Sequence, residues 1–282
     1  MAAQEIKATE RFNWPVTILL LLGLFTVLFP LYMTVIIAFK LPSEMTNDVI
    51  GLLSFPQTWS LENFREAMRV TDFWRSLFNS FLITAVTVIF SVIIHSLMGY
   101  AVARNMNRSK FYRFSYFYIV SGMFVPFAIL MMPLVKQTAQ LRIDNMFGVI
   151  VLYVVFYMPM NVLLYAGYLK NIPIALEEAA HVDGASTWTT YWKIIFPLIM
   201  PFFTINMVLC MKNNLMVFDQ IMALTKGGPA QSTESISYLI YNNGMAGGQF
   251  GFQSANAVVF FIVIVIISVL QLKYLNKKEE QL

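Results

Sequence analysis

EEAAHVDGASTWTTYWKIIFPLIMP, Glu177 to Pro201, is a polar, charge-bearing island between hydrophobic segments long enough to cross a bilayer. Its order predicts two short helices meeting at a glycine elbow. Pro173 stands where a helix can begin, because a first-turn proline lacks only a hydrogen bond that position does not make. Asp183-Gly184 is expected to end that helix, and Ser186 to cap the next one through its side-chain oxygen. Pro197 is expected to limit the second helix before the membrane segments resume. An amphipathic connector between two membrane helices needs only a polar face; here the acid, two alanines, glycine and both prolines fall in a fixed order.

The flanking sequence supports the membrane setting. The chain of 282 residues is 58% hydrophobic and 12% charged, with a mean hydropathy of +0.66. Soluble domains carry roughly 25% charged residues. Charge-free windows run from Phe12 to Phe39, Ser76 to Ala103, Phe114 to Val135, Asn145 to Leu169 and Ser235 to Leu272. Each exceeds the roughly 20 residues a spanning helix needs. With Pro201 to Leu224 as the fifth, the reading is an all-α integral membrane protein of six transmembrane helices, the island lying between the fourth and fifth.

The apolar part of the first window is longer than a secretory h-region of about 7 to 15 residues and lacks a small-residue cleavage site, so it is read as a retained helix. Cys210 is the only cysteine, which leaves no disulfide framework and no cysteine-based metal site. His95 and His181 are too few and too far apart to suggest one. The net charge of +4 needs no nucleic acid, since Lys and Arg beside membrane helices report orientation. With the N-terminus inside, eleven of them, including Arg104, Arg108, Lys110 and Arg113, fall in cytoplasmic segments, against seven outside. That bias predicts cytoplasmic termini and a cytoplasmic island.

Glu178-Ala179-Ala180, Asp183-Gly184-Ala185-Ser186, Ile194, Pro197 and Pro201 resemble the EAA loop of binding-protein-dependent ABC importer permeases. Phe196, where that family usually has Leu, is an apolar exchange. Three further segments resemble carbohydrate-uptake (maltose-type) permeases. They are Phe55-Pro56, Trp59 and Leu61-Glu62-Asn63-Phe64 in the first outer loop, Gly99-Tyr100-Ala101-Val102-Ala103-Arg104, and Thr225-Lys226-Gly227-Gly228-Pro229 with Ser232-Thr233-Glu234. The middle one, with Asn79-Ser80, is similar to the second membrane subunit of such systems.

The resemblance implies residues 1–73 as an N-terminal segment with first helix and outer loop. The permease domain follows at 74–272 with its coupling loop at 170–200, then a cytoplasmic tail at 273–282. It implies a bacterial cell membrane location and a heterodimer with a second homologous permease. Two ATPase subunits, an extracellular or periplasmic sugar-binding protein and membrane lipid complete the surroundings.

No G-x-x-x-x-G-K-[ST] phosphate loop occurs, so ATP and Mg are expected on the separate ATPase subunits, with no cofactor in this chain and no enzymatic activity of its own. In the coupling loop, Glu178 is expected to be an exposed acid for a basic group on the ATPase. Ala179 and Ala180 would permit close approach, and Asp183, Gly184 and Ala185 would form the bend. For the substrate path, Lys212 falls within the fifth window, where an inserted Lys costs about 2.5 to 3.5 kcal/mol, so polar surroundings are expected. Cys210, Asn214 and Val217 share a helical face. Aligning the resemblance on Gly227-Gly228-Pro229 selects the same three, and on Pro159 it selects Tyr153, Phe156, Tyr157 and Met160. Helix packing is the alternative role for all of them, with Lys212 paired in the partner subunit.

His95 is read as a hydrogen-bonded packing residue. Pro30, Pro126, Pro133 and Pro159 are expected to kink the spans. The tail lacks the glycine-rich ending that second subunits often insert toward their ATPase. The rival readings are an importer of another solute, such as a polyol or glycerophosphodiester, and an ion-coupled transporter using Lys212, Asp219 and His95.

Overall fold

In the computed structural model, which describes residues 13–45 and 49–279, every hydrophobic window is helical, and no strand occurs among the described residues. Lys7, Arg11 and Glu280 lie outside them. The helices are α1 (Trp14–Phe39), α2 (Val49–Leu53), α3 (Glu62–Val70), α4 (Phe73–Asn105), α5 (Lys110–Ser121), α6 (Phe127–Leu141) and α7 (Met146–Leu169). They continue with α8 (Ala175–Val182), α9 (Thr187–Thr190), α10 (Phe196–Leu198), α11 (Met200–Leu215), α12 (Asp219–Leu224), α13 (Ile236–Ile240) and α14 (Phe250–Glu279).

Four helices, α1, α4, α7 and α14, are each long and apolar enough to span a bilayer. The count rises to six if each of two bent pairs is one span. The third window is the first such pair. Lys110–Phe124 and Phe127–Leu141 are bent by 103° about an extended Val125, because Pro126 disfavours helical geometry in the residue before it.

The fifth window is also interrupted. Between Met216 and Phe218 the helix stops without glycine or proline, and at this break the Ser235 hydroxyl donates to the Val217 carbonyl at 2.7 Å. The Ser235 to Leu272 window does not form one span. Ser235 caps α13, and Gly247 with Gly248 (φ +72°) separates it from α14, which starts at Phe250. From there α14 runs on through Lys273, so the expected tail is helical to Glu279.

The central pair is α4 against α7. The buried face of α4 is a row of small polar residues, Ser76, Ser80, Thr84, Thr87 and Ser91, ending in His95 and Gly99. Small residues let membrane helices approach closely. At Gly99 the approach is closest, since an added Cβ would stand 2.5 Å from Tyr165 Cβ. His95 uses both ring nitrogens here: Nε2–H donates to the Val154 carbonyl and Nδ1 accepts from Asn161, each at 2.9 Å.

The N-terminal end of α4 holds the Gly-Gly-Pro loop. The Arg75 guanidinium donates to the Ala230 carbonyl, Asn79 Nδ2 donates to the Gln231 and Glu234 carbonyls at 3.0 and 3.1 Å, and Ser80 Oγ accepts from the Ile236 amide. Gly227 supplies a left-handed turn (φ +84°) there. Asn63 of α3 caps α1: its amide donates to the carbonyls of Ile37, Ala38 and Lys40 at 3.2, 3.2 and 2.6 Å. These are carbonyls a helix C-terminus leaves unsatisfied.

Candidate functional site

The island between α7 and α11 forms the expected two helices, with differences at both ends. α8 begins at Ala175, two residues after Pro173, and its cap position is Ile174. Its far end is a Schellman turn. The Ala185 amide donates to the Ala180 carbonyl at 2.9 Å and the Gly184 amide to the His181 carbonyl at 3.0 Å, with Gly184 at φ +82°. Ser186 Oγ then accepts the Thr189 amide at 3.2 Å and caps α9. The second helix ends at Leu198, one residue past Pro197, and the chain bends by 79° before Phe202. A π turn over Tyr191–Ile195 widens the helix, which relieves the clash of the proline ring with the preceding turn, and α10 runs through Pro197 to Leu198.

The exposed side of α8 carries Glu178, Ala179 and Asp183, while Ala180 is buried and Ala185 half-buried. Apolar side chains dominate that exposed side. Val182 is 87% exposed at the tip of α8, with Leu176 and Ile174 behind it, and Trp188 of α9 is 63% exposed beside it.

The acid that fixes α8 to the bundle is Glu177, which the sequence reading left unassigned. It is 7% exposed. Arg104 Nε donates to Glu177 Oε1 at 2.6 Å, and Nη2 lies 2.6 Å from the same oxygen at an angle too poor for a second hydrogen bond. The Tyr100 hydroxyl donates to Glu177 Oε2 at 2.8 Å. Arg104 Nη1 also donates to the Leu169 and Ile172 carbonyls at 3.0 and 3.1 Å, closing the C-terminus of α7. Three elements, α4, α7 and α8, thereby meet at one guanidinium. The signal for this was a basic residue at the end of a span with no acid within thirty positions on either side; a half-buried arginine there needs an acid from elsewhere.

The substrate-path candidates divide into two groups. Tyr153, Tyr157 and Val217 come together: Tyr153 and Val217 are buried with Ile83, Val149 and Ile221, Tyr157 packs against them, and the Tyr153 and Tyr157 rings stack at 5.9 Å. The Tyr153 hydroxyl donates to Gln220 Oε1. Cys210 lies across from Asn161 and one turn from Asn206, with Sγ contacts of 3.8 to 3.9 Å. Asn214 Nδ2 donates to the Cys210 carbonyl at 2.7 Å, leaving its buried Oδ1 unpartnered among the described residues.

The other candidates point elsewhere. Phe156 packs edge-on against Phe127 of α6 at 5.5 Å, and Met160 is exposed. Lys212 is exposed on the opposite side of α11 from Cys210 and Asn214, in a stripe with Leu209, Asn213 and Met216 at helical spacing.

Comparison with known proteins agrees with this architecture. Residues 95–281 match the family model of the binding-protein-dependent transport system inner membrane component. The multiple sugar-binding transport system permease protein MsmG of Streptococcus mutans is 31% identical over 279 residues, 96% of each chain. Its namesake MsmF from the same organism is 41% identical over 43% of this chain and 41% of its own. A subunit of a bacterial ABC transporter involved in the import of the acidic polysaccharide alginate has the same fold, with a TM-score of 0.74 at 22% identity over 93% of this chain and 96% of that one. The match covers the helices that carry the Arg104–Glu177 clamp and the elbow at Gly184, and the chain belongs to the family of binding-protein-dependent transport system inner membrane components.

Proposed function

We propose that this chain is one permease subunit of an ATP-driven ABC importer whose cargo is a sugar, an oligosaccharide, and that it works beside a second, homologous permease. One of two ATPase subunits docks on the α8–α9 elbow from the cytoplasm, the other on the partner permease, and an external binding protein delivers the sugar. The observation that carries this reading is the contrast between the two sides of α8. Its root is held by Arg104 and Tyr100 through Glu177, while Val182 and Trp188 stay largely exposed, the Trp188 ring packing edge-on against Trp192 at 5.6 Å. An element held at one side and apolar at the other is suited to seat in a cleft and move as one piece with the helices behind it.

In this reading each bent pair is one span, giving six, with termini and elbow in the cytoplasm. The transport unit starts near Trp74, and α1 is an addition at its edge. Glu178 and Asp183 meet basic groups around the ATPase cleft, Ala179 lies against its wall, and Gly184 holds the bend that Ala180 and Ala185 close. For the path, the buried Cys210, Asn214, Val217, Tyr153 and Tyr157 support the exposed stripe of α11, where Lys212 and Asn213 present polar groups to the partner subunit or the sugar.

The test is oligosaccharide uptake into vesicles containing the complex that co-purifies with this chain. Val182→Asp and Glu178→Lys should leave the chain in the membrane at normal level, lose the ATPase on purification, and cut ATP-driven uptake at least tenfold. Uptake driven by an ion gradient with no ATPase present would overturn the proposal.

A further inference from the structure

We propose that the groove between α4 and α5 is a binding site for an anionic phospholipid. α4 and α5 are joined by the short turn at residues 106–109 and run back against one another, but they do not close. A groove of about 400 Å³ lies between them, lined by Met98, Ala101 and Val102 of α4 and by Phe111, Phe114 and Tyr118 of α5. Its walls are almost wholly apolar, and the three aromatic side chains are turned outward, Phe111 and Tyr118 each 71% exposed. In a membrane that surface suits an acyl chain.

The end of the groove at the turn has the opposite character. Arg108 and Lys110 flank Ser109 in the turn, and Arg113 follows one helical turn later, its Nε–H donating to the Met106 carbonyl at 3.3 Å. Lys170, at the end of α7, has its ammonium 6.0 Å from the centre of the Tyr116 ring on α5. These cations have no acid of their own. From Phe73 to Ile143 the sequence contains no Asp or Glu. Glu177 is taken by Arg104, and no ion pair links Arg108, Lys110, Arg113 or Lys170 to an acid among the described residues.

An apolar slot with uncompensated cations at one end matches a molecule with an acyl chain and a negative headgroup. Lys and Arg stems can lie along the apolar wall while their charges reach the headgroup level. A second permease helix would fill the slot but would leave the cations unanswered unless it brought acids to the same level. The inference rests on membrane embedding and stands whether or not the cargo is a sugar.

Each Lys or Arg near an anionic headgroup is worth about a fivefold change in occupancy. The importer complex in detergent is titrated with phosphatidylglycerol or with phosphatidylcholine of the same chains and observed by native mass spectrometry. Phosphatidylglycerol should bind at least about fivefold better, and Arg108→Gln/Lys110→Gln should reduce that preference at least about fivefold while leaving phosphatidylcholine binding unchanged. Arg113 is left intact in this variant because it closes the turn. A photocrosslinking side chain in place of Ser115, which lines the groove, should capture lipid from membranes. Equal binding of the two lipids by the unaltered complex, an undiminished preference in the variant, or capture of a protein subunit at 115 would each overturn the proposal.

Discussion

Replacing Glu177 by Gln keeps the shape of the side chain that joins α8 to the bundle and removes its charge. Two hydrogen bonds to the carboxylate are affected, from Arg104 at 2.6 Å and Tyr100 at 2.8 Å. Hydrogen bonds to a charged group contribute about 1.5 to 3 kcal/mol each, and Gln retains part of each as a neutral acceptor. Breaking one partner of a buried ion pair costs about 3 to 5 kcal/mol, because the remaining charge stays desolvated. Arg104 keeps the Leu169 and Ile172 carbonyls, which places the expected loss near the lower figure, about 3 kcal/mol. That corresponds to a shift of roughly 150-fold in the ratio of docked to undocked α8. Hydrogen exchange read by mass spectrometry reports such local opening. Amides of α8 should exchange about a hundredfold faster, those of α14 should be unaffected, and ATP hydrolysis should continue while uptake falls. Arg104→Gln should do the same, and the double variant should be little worse than either single one, since the two residues share one interaction. Exchange in α8 within threefold of the unaltered protein, or additive single effects, would refute the clamp.

Gly99→Ala should force α4 and α7 apart, because the new methyl meets Tyr165 Cβ at 2.5 Å. Overpacking of this kind costs about 1 to 3 kcal/mol, so a lowered thermal midpoint with the clamp at Glu177 loosened is expected, and an unchanged midpoint would contradict the packing described. Burial raises the Glu234 pKa above its ordinary 4.5, with Asp72 adding to the shift and the Ser76 hydroxyl and Arg75 opposing it. The folded chain then holds that proton more tightly than the unfolded one. Its contribution to stability is present below pH 4.5 and is lost as pH rises through the raised value. Glu234→Gln should therefore flatten the slope of thermal midpoint against pH just above 4.5, and an identical slope in both proteins would count against it.

What the sequence made legible was local. The elbow depends on Gly184 and Ser186 acting on backbone within five residues, so their identities suffice to place both caps. The Gly-Gly-Pro turn is likewise set by residues next to it. The misplaced boundaries all involve a distant partner or a non-standard turn. α11 stops at Leu215, and the chain past it is tied by Ser235 to Val217, a bond of which a hydropathy window over Pro201 to Leu224 contains no trace. Pro197 does mark the end of the second helix at Leu198, but the π turn before it is a geometry that composition does not encode. Glu177 and Arg104 stand 73 positions apart, and a scan of the island by itself makes Glu178 look the more useful acid because nothing local distinguishes the two. Cys210 and Asn214 lie one turn apart on the inward side of α11 while Val217 falls past its end, and only the packing of α11 against α4 and α14 decides which side of a helix remains open.

The placement of α4 relates the two loops that carry most of the family resemblance. At about 1.5 Å per residue its 33 residues reach about 50 Å, enough to cross the bilayer and project beyond it on both sides. Near its start, Arg75, Asn79 and Ser80 hold the Gly-Gly-Pro loop; near its end, Tyr100 and Arg104 hold α8. Proline lies inside α1, α6 and α7, at Pro30, Pro133 and Pro159, but α4 contains none. A proline removes a backbone bond and gives a helix a place to bend. An uninterrupted helix anchored by side chains at both ends has no such place, so a displacement imposed on α8 reaches Arg75 as a tilt of the whole rod. The neighbouring α7, which shares Arg104 through the Leu169 carbonyl, can flex at Pro159 and need not follow along its full length. An α4 without proline and an α7 carrying Pro159, both gripped by one guanidinium, would let a single push on α8 change the angle between them.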